Sequence, residues 1–271
     1  MRTTRTRPTT RPGGRWAAPA GVYLTVAFLA AGALGAVQPA TGVPGEVVQL
    51  TQFGPALGVA TAALLWPART RGLLGGTGAR SDSRWPLLAT PFLIIALSAG
   101  PYALLSGSPH LTDPRSLHHP FPLIAVAQLA GACGEEIGWR CFLQPLLRTR
   151  FRPLTASVAV GAVWGLWHVQ VLAQAPAYTA GFLLATIAMS VVLGLALEQT
   201  GGRVRLLLAG GFHTLVNLGM LLFMDEETGA ALPMVLFGLA CAVVAGAWAG
   251  RGRGVTIPAT GVGGNAGPDA V

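Results

Sequence analysis

Long apolar stretches, separated by short polar connections, follow one another along the chain. A helix that crosses a membrane needs about 20 mainly apolar residues, and eight stretches are close to that length. They lie at residues 16–37, 47–66, 86–105, 121–147, 154–172, 178–197, 204–223 and 230–249. The pattern predicts an all-α fold, a polytopic bundle of about eight transmembrane helices that occupies residues 16–249.

The amino-acid composition favours the same class of protein. Hydrophobic residues make up 52% of the chain, charged residues make up only 10%, and the mean hydropathy is +0.57. Soluble proteins carry about 25% charged residues, which cover the surface that faces water. Because this chain has too few charges to do so, we expect the lipid bilayer to be one of its partners.

The arginines indicate how the predicted helices are oriented. All 18 basic residues are arginines, and connections with two or more of them alternate with connections that have one or none. By the positive-inside rule, this alternation predicts eight spans in the plasma membrane, with both termini in the cytoplasm. The basic charge lies at membrane boundaries, so nucleic acid is not an expected partner. The polar composition of residues 1–15 and 250–271 predicts disordered tails.

Three charged residues interrupt the fourth apolar stretch: Glu135, Glu136 and Arg140. Charged side chains within a transmembrane helix are costly, and they usually face the bundle interior or a wet cavity. Glu136 and Arg140 are four residues apart and therefore share a helix face, which predicts an ion pair. Glu135 is left as a carboxylate available for chemistry. The alternative is that all three residues only hold helices together.

Two further stretches contain polar residues that could join this cluster. His168 lies in the fifth stretch, and His213 and Asn217 lie four residues apart in the seventh. Counted at about 1.5 Å per residue from the cytoplasmic helix ends, Glu135, His168 and Asn217 lie roughly 18–21 Å deep. His213 lies one turn nearer the cytoplasm. The shared depth predicts a single buried site between three helices.

Such a site has the groups needed to hydrolyse an amide. A buried carboxylate and a histidine can hold and deprotonate a water molecule. A second histidine and an asparagine can donate hydrogen bonds to the developing oxyanion. Alternatively, His168, His213 and Glu135 could ligate zinc with one position open, although the chain has no HExxH motif.

Three motifs follow in order between residues 121 and 223: EExxxR, aromatic-xxx-His and HxxxN. They are formed by Glu135, Glu136 and Arg140, by Trp164 and His168, and by His213 and Asn217. Together they resemble the CPBP family, also called the Abi family, which groups type II CAAX prenyl endopeptidases with bacteriocin-processing and immunity-related membrane proteins. Two residues depart from the family pattern: Trp164 stands where phenylalanine is frequent, and Cys141 where glycine is common.

The resemblance implies an eight-helix intramembrane endopeptidase with a cavity that is reachable from the cytoplasm. It implies that Glu135 and His168 activate the water, that His213 and Asn217 stabilise the oxyanion, and that Glu136, Arg140 and Trp164 support them. Family members have been described both as metalloproteases and as metal-free glutamate proteases. We expect no required cofactor, with zinc as the alternative.

Three functions compete at this point. The favoured one is a peptidase that cuts a peptide or a membrane-protein substrate. The second is a non-proteolytic immunity or scaffold protein of the same fold, which would not need the complete set of four reactive side chains. The third is a proton-coupled transporter, which is disfavoured because the chain shows no inverted repeat.

Overall fold

All eight apolar stretches form helices in the computed structural model, which describes residues 16–76, 86–109, 111–224 and 229–251. The α-helices are α1 (Ala17–Thr41), α2 (Gly54–Leu65), α3 (Pro67–Gly75), α4 (Pro86–Ser106), α5 (Phe121–Gly138), α6 (Gln144–Arg148), α7 (Pro153–Trp167), α8 (Pro176–Ala196), α9 (Gly202–Phe223) and α10 (Ala231–Arg251). These described residues contain no strand. The predicted tail 1–15, and all but the first two residues of the tail 250–271, lie outside them.

Among the described residues, five helices are each long and apolar enough to cross a membrane: α1, α4, α8, α9 and α10. The segments Leu50–Leu65 and Pro153–Trp167 are apolar but shorter. Large hydrophobic side chains face outward, with Leu64 and Leu104 more than four-fifths exposed. Such a surface suits lipid rather than water. The predicted polytopic membrane bundle is therefore confirmed, although five helices rather than eight reach spanning length on their own.

Three predicted helices are interrupted, and in two of them the interruption lies beside a candidate site residue. The second stretch begins with a 3-10 turn, Leu50–Phe53, before α2. The fourth contains a π-helical turn, Trp139–Leu143, in which the Gln144 N–H reaches the Trp139 carbonyl. The fifth ends as α-helix at Trp167 and continues as a 3-10 turn, Val169–Ala173. The prediction of continuous helices was wrong at these points.

A row of small residues brings α5 close to α1 and to the beginning of α2. Gly131, Gly134 and Gly138 lie against Gln52, Phe53 and Tyr23, where an added Cβ atom would overlap each neighbour. Small residues at helix interfaces allow such close backbone approach in membrane bundles. Because this face of α5 is used for packing, its other faces are free to carry Glu135 and Glu136 toward α7 and α9.

Candidate active site

The predicted ion pair is present in the bundle interior. Glu136 Oε2 lies 3.0 Å from Arg140 Nε, and both side chains are at most 1% exposed. The contact is an ion pair without the alignment of a hydrogen bond. Arg140 Nη1 also donates to the Ser190 hydroxyl of α8 at 3.0 Å. The pair therefore ties α5 and the π-helical turn to a neighbouring helix.

Glu135 points in a different direction from Glu136, as the rotation of about 100° per helical residue requires. Its Oε2 accepts a hydrogen bond from Trp164 Nε1 at 2.7 Å, and the side chain is buried. The hydrogen-bond partner of this carboxylate is therefore the indole of Trp164 rather than a cationic side chain.

His168 lies just beyond α7 rather than within a helix, and its own side chain explains why. Its Nδ1 contacts the Trp164 carbonyl at 2.9 Å, the group that would have accepted the His168 backbone N–H in a continuing α-helix. The backbone N–H bonds to the Gly165 carbonyl instead. Because a carbonyl only accepts, Nδ1 carries the proton and Nε2 keeps a free lone pair.

His213 and Asn217 project from one face of α9, as their spacing predicts. His213 Nδ1 lies 3.1 Å from Glu136 Oε1. The ring of His213 also meets the Trp164 ring edge-to-face, with centroids 5.2 Å apart. Asn217 Nδ2 donates to Gln128 Oε1 at 3.2 Å. Sequence reasoning missed Gln128, although it lies seven residues before Glu135 and thus on the same side of α5.

One cavity of about 610 Å³ collects these side chains. Glu135, Trp164, His168, His213 and Asn217 all line it, whereas Glu136 and Arg140 do not. The residues that helix depth predicted to share a site therefore line one cavity. The members of the ion pair are not among the residues that line it.

The cavity reaches the surface at the arginine-poor ends of the helices. Its outer part is lined by the exposed side chains of Gln49, Gln170 and Gln174, which lie in the α1–α2 and α7–α8 connections. No arginine is among the described residues that line it. The resemblance implied a cavity that opens to the cytoplasm, and the arginines predicted cytoplasmic termini. Because the cavity opens at the arginine-poor ends of the helices, only one of these two expectations can hold.

The donor set does not fit the alternative zinc site. Within the described part of the chain, no three or more His, Cys, Asp or Glu side chains are grouped so as to hold a metal ion. The hydrogen bonds at Nδ1 of each histidine do not bear on this point, because zinc-bound histidines usually make such a bond as well.

Residues 117–219, which include all of these side chains, match the family described as type II CAAX prenyl endopeptidase Rce1-like. Over this segment the chain is similar to the Rce1-like family. The matched segment begins just before α5 and ends in α9, so it contains all three motifs. The polytopic helical fold expected from the resemblance is confirmed.

Curated relatives extend the similarity beyond this segment. Lysostaphin resistance protein A from Staphylococcus aureus strains bovine RF122 / ET3-1, Newman and USA300 is 22% identical over 237 residues. The alignment covers 86% of this chain and 56% of each relative. The chain thus spans about half the length of these relatives.

Proposed function

We propose that this Rce1-like protein is an intramembrane endopeptidase that hydrolyses a peptide bond with a water molecule activated by Glu135 and His168. The observation that carries the proposal is the convergence of Glu135, His168, His213 and Asn217 on one cavity. A scaffold would need the ion pair for helix packing, but it would not need four further polar side chains facing a common space.

Trp164 contacts both residues that are proposed to activate the water molecule, Glu135 and His168. Its indole N–H holds Glu135 Oε2 and its carbonyl holds His168 Nδ1. Glu135 Oε1 and His168 Nε2 are then the atoms left to contact a water molecule. The water oxygen attacks the carbonyl carbon of the scissile bond while its proton passes to Glu135. Glu135 then returns this proton to the amide nitrogen as the C–N bond breaks, which releases the amine and the carboxylic acid products.

The oxyanion formed in this step needs hydrogen-bond donors, which His213 and Asn217 supply. Because Glu136 accepts from Nδ1 of His213, its Nε2 donates only when the ring carries both protons. The Glu136 carboxylate, which also contacts Arg140, lies beside this positive charge. Asn217 keeps one amide N–H after donating the other to Gln128, so Gln128 is a positioning residue.

The test is peptide cleavage by the purified protein in lipid nanodiscs, with a peptide library and mass-spectrometric detection of products. We expect His168→Gln to lower kcat by about 10²–10⁴-fold, the usual range for a side chain that takes part in acid–base catalysis, because the water loses one of the two groups that hold it. His118→Gln is the matched control, because His118 is exposed and does not line the cavity. Cleavage by His168→Gln at the wild-type rate would overturn the assignment, and loss of wild-type cleavage with a chelator, restored by zinc, would overturn the metal-free mechanism.

We further propose that both termini are cytoplasmic and that the cavity is entered from the opposite side of the membrane. The arginine alternation sets this orientation by the positive-inside rule. The α1–α2 and α7–α8 connections, which line the outer cavity, then face the cell exterior. The substrate would be a secreted peptide or an external segment of a membrane protein.

Cysteine labelling of intact cells with a membrane-impermeant maleimide tests this orientation without requiring catalysis. Gln170→Cys, at the cavity mouth, should be labelled in intact cells. Thr149→Cys, exposed between α6 and α7, should be labelled only after permeabilisation. The wild-type chain, with Cys133, Cys141 and Cys241, gives the background. The reverse pattern would contradict the proposed orientation and favour entry from the cytoplasm.

A non-proteolytic role in resistance is the second candidate. The curated relatives are named for lysostaphin resistance, and that name does not specify peptide cleavage. If no peptide is cleaved by wild-type protein, while loss of the protein changes sensitivity of the cells to lysostaphin, the second candidate replaces the first.

A further inference from the structure

A second cavity, of about 320 Å³, lies at the arginine-rich ends of the helices. It is bounded by α3, by the α6–α7 connection and by the segment that joins α8 to α9. Its charged lining residues are Arg140, Arg148, Arg205 and Glu198. The exposed positions Gly72 and Thr149 also line it, so the cavity reaches the surface.

The positive charge in this cavity is only partly balanced by protein groups. Arg148 Nη2 lies 2.5 Å from Glu198 Oε1, which accounts for the one carboxylate in the lining. Arg140 is paired with Glu136, which does not line this cavity. Arg205 donates from Nη2 to the Thr200 carbonyl, a neutral group. The three guanidinium groups therefore have only two carboxylates as partners. One positive charge, that of Arg205, is left without a carboxylate of its own among the described residues.

Two of the guanidinium groups also have unused donors. Arg205 is 6% exposed and Arg140 is 1% exposed. Arg205 Nη1 and Arg140 Nη2 are buried atoms without a hydrogen-bond partner in the described structure. Buried donors of this kind are normally satisfied, because an unpaired one costs much of its desolvation free energy. These two atoms belong to residues that line the same cavity.

We propose that this second cavity binds a phosphate group, supplied either by free phosphate or by the headgroup of an anionic phospholipid. A phosphate oxygen accepts several hydrogen bonds at once, and guanidinium groups are well suited to bind it. The negative charge of the phosphate balances the unpaired charge of Arg205. Basic pockets between transmembrane helices on the cytoplasmic side are typical binding sites for anionic headgroups.

Thermal unfolding of the full chain tests the proposal, with Tm as the readout. In detergent, potassium phosphate is compared with potassium chloride at equal ionic strength. In nanodiscs, phosphatidylglycerol is compared with phosphatidylcholine. A ligand at about ten times its Kd is expected to raise the Tm of the wild type by roughly 3 °C. A rise in Tm with potassium phosphate identifies a site for the free anion. A rise in Tm with phosphatidylglycerol alone identifies a site for the lipid headgroup.

Three variants test whether the ligand-dependent rise in Tm depends on this second cavity. Arg205→Gln should lose the ligand-dependent shift, whereas Arg150→Gln, at an exposed arginine outside the cavity, should retain it. If Arg205→Gln does not fold, Leu73→Trp decides, because it fills the cavity without removing a charge. The proposal is wrong if neither ligand raises the Tm of the wild type, or if the shift persists in Leu73→Trp.

Discussion

Replacement of Glu135 by glutamine is expected to lower kcat for peptide cleavage by about 10³-fold, in the range of a lost general base. Glutamine has nearly the same shape as glutamate, and its carbonyl oxygen can still accept the hydrogen bond from Trp164 Nε1. It cannot take a proton from water. The Tm of Glu135→Gln should therefore stay close to that of the wild type while the activity is lost.

The kcat and the Tm of Glu135→Gln should be measured on the same preparation, beside Asp113→Asn. Asp113 is an exposed carboxylate outside the active-site cavity, so its substitution should leave both quantities unchanged. If Glu135→Gln cleaves peptide as fast as Asp113→Asn, Glu135 is not the base. If Glu135→Gln loses its fold, the residue is structural rather than reactive.

The second large effect concerns stability. Arg140→Met is expected to lower the free energy of unfolding by about 3–5 kcal/mol, because it removes the arginine partner of the fully buried Glu136 and leaves this carboxylate with the His213 contact alone. Adding Glu136→Gln to this variant removes the stranded charge and should recover part of the loss. Removal of both members of a buried pair is usually far less costly than removal of one.

Denaturant titration in detergent gives the free energies of the single and double variants. Arg150→Met is the control, since substitution of an exposed arginine usually changes stability by less than about 0.5 kcal/mol. A double variant that is less stable than Arg140→Met would show that Glu136 stabilises the bundle through contacts other than this pair. An Arg140→Met variant as stable as the wild type would show that the pair is not structural.

Local spacing was sufficient to predict part of the site. The interval of His213 to Asn217 lies within α9, and that of Glu136 to Arg140 runs from α5 into the π-helical turn that continues it. In both cases helical periodicity determines which side chains share a face. The apolar lengths likewise predicted the eight helical segments. These features depend on neighbours in sequence, so they can be deduced without tertiary contacts.

The remaining features depend on contacts between distant segments. The end of α7 at His168 follows from competition between a side chain and the backbone for the Trp164 carbonyl, which apolar periodicity does not reveal. The bond from Trp164 to Glu135 joins residues 29 positions apart. The contact of His213 with Glu136 joins residues 77 positions apart, so no local pattern predicts which carboxylate it selects.

Sequence and tertiary contacts were both needed to propose the side of the membrane from which the cavity is entered. The arginines indicate which helix ends are cytoplasmic, and the cavity lining indicates which ends are open. Resemblance to the family implied cytoplasmic entry. These two observations on this chain are the basis of our proposal that entry is from the opposite side.

The central claim is that Glu135 and His168 act together on one water molecule, and a double-mutant cycle tests it most directly. Cleavage rates are measured for wild type, Glu135→Gln, His168→Gln and the protein with both substitutions. Residues that act as a unit show strongly non-additive losses. We predict that the double variant is no slower than the slower single variant. Losses that multiply, or wild-type cleavage by either single variant, would contradict the claim.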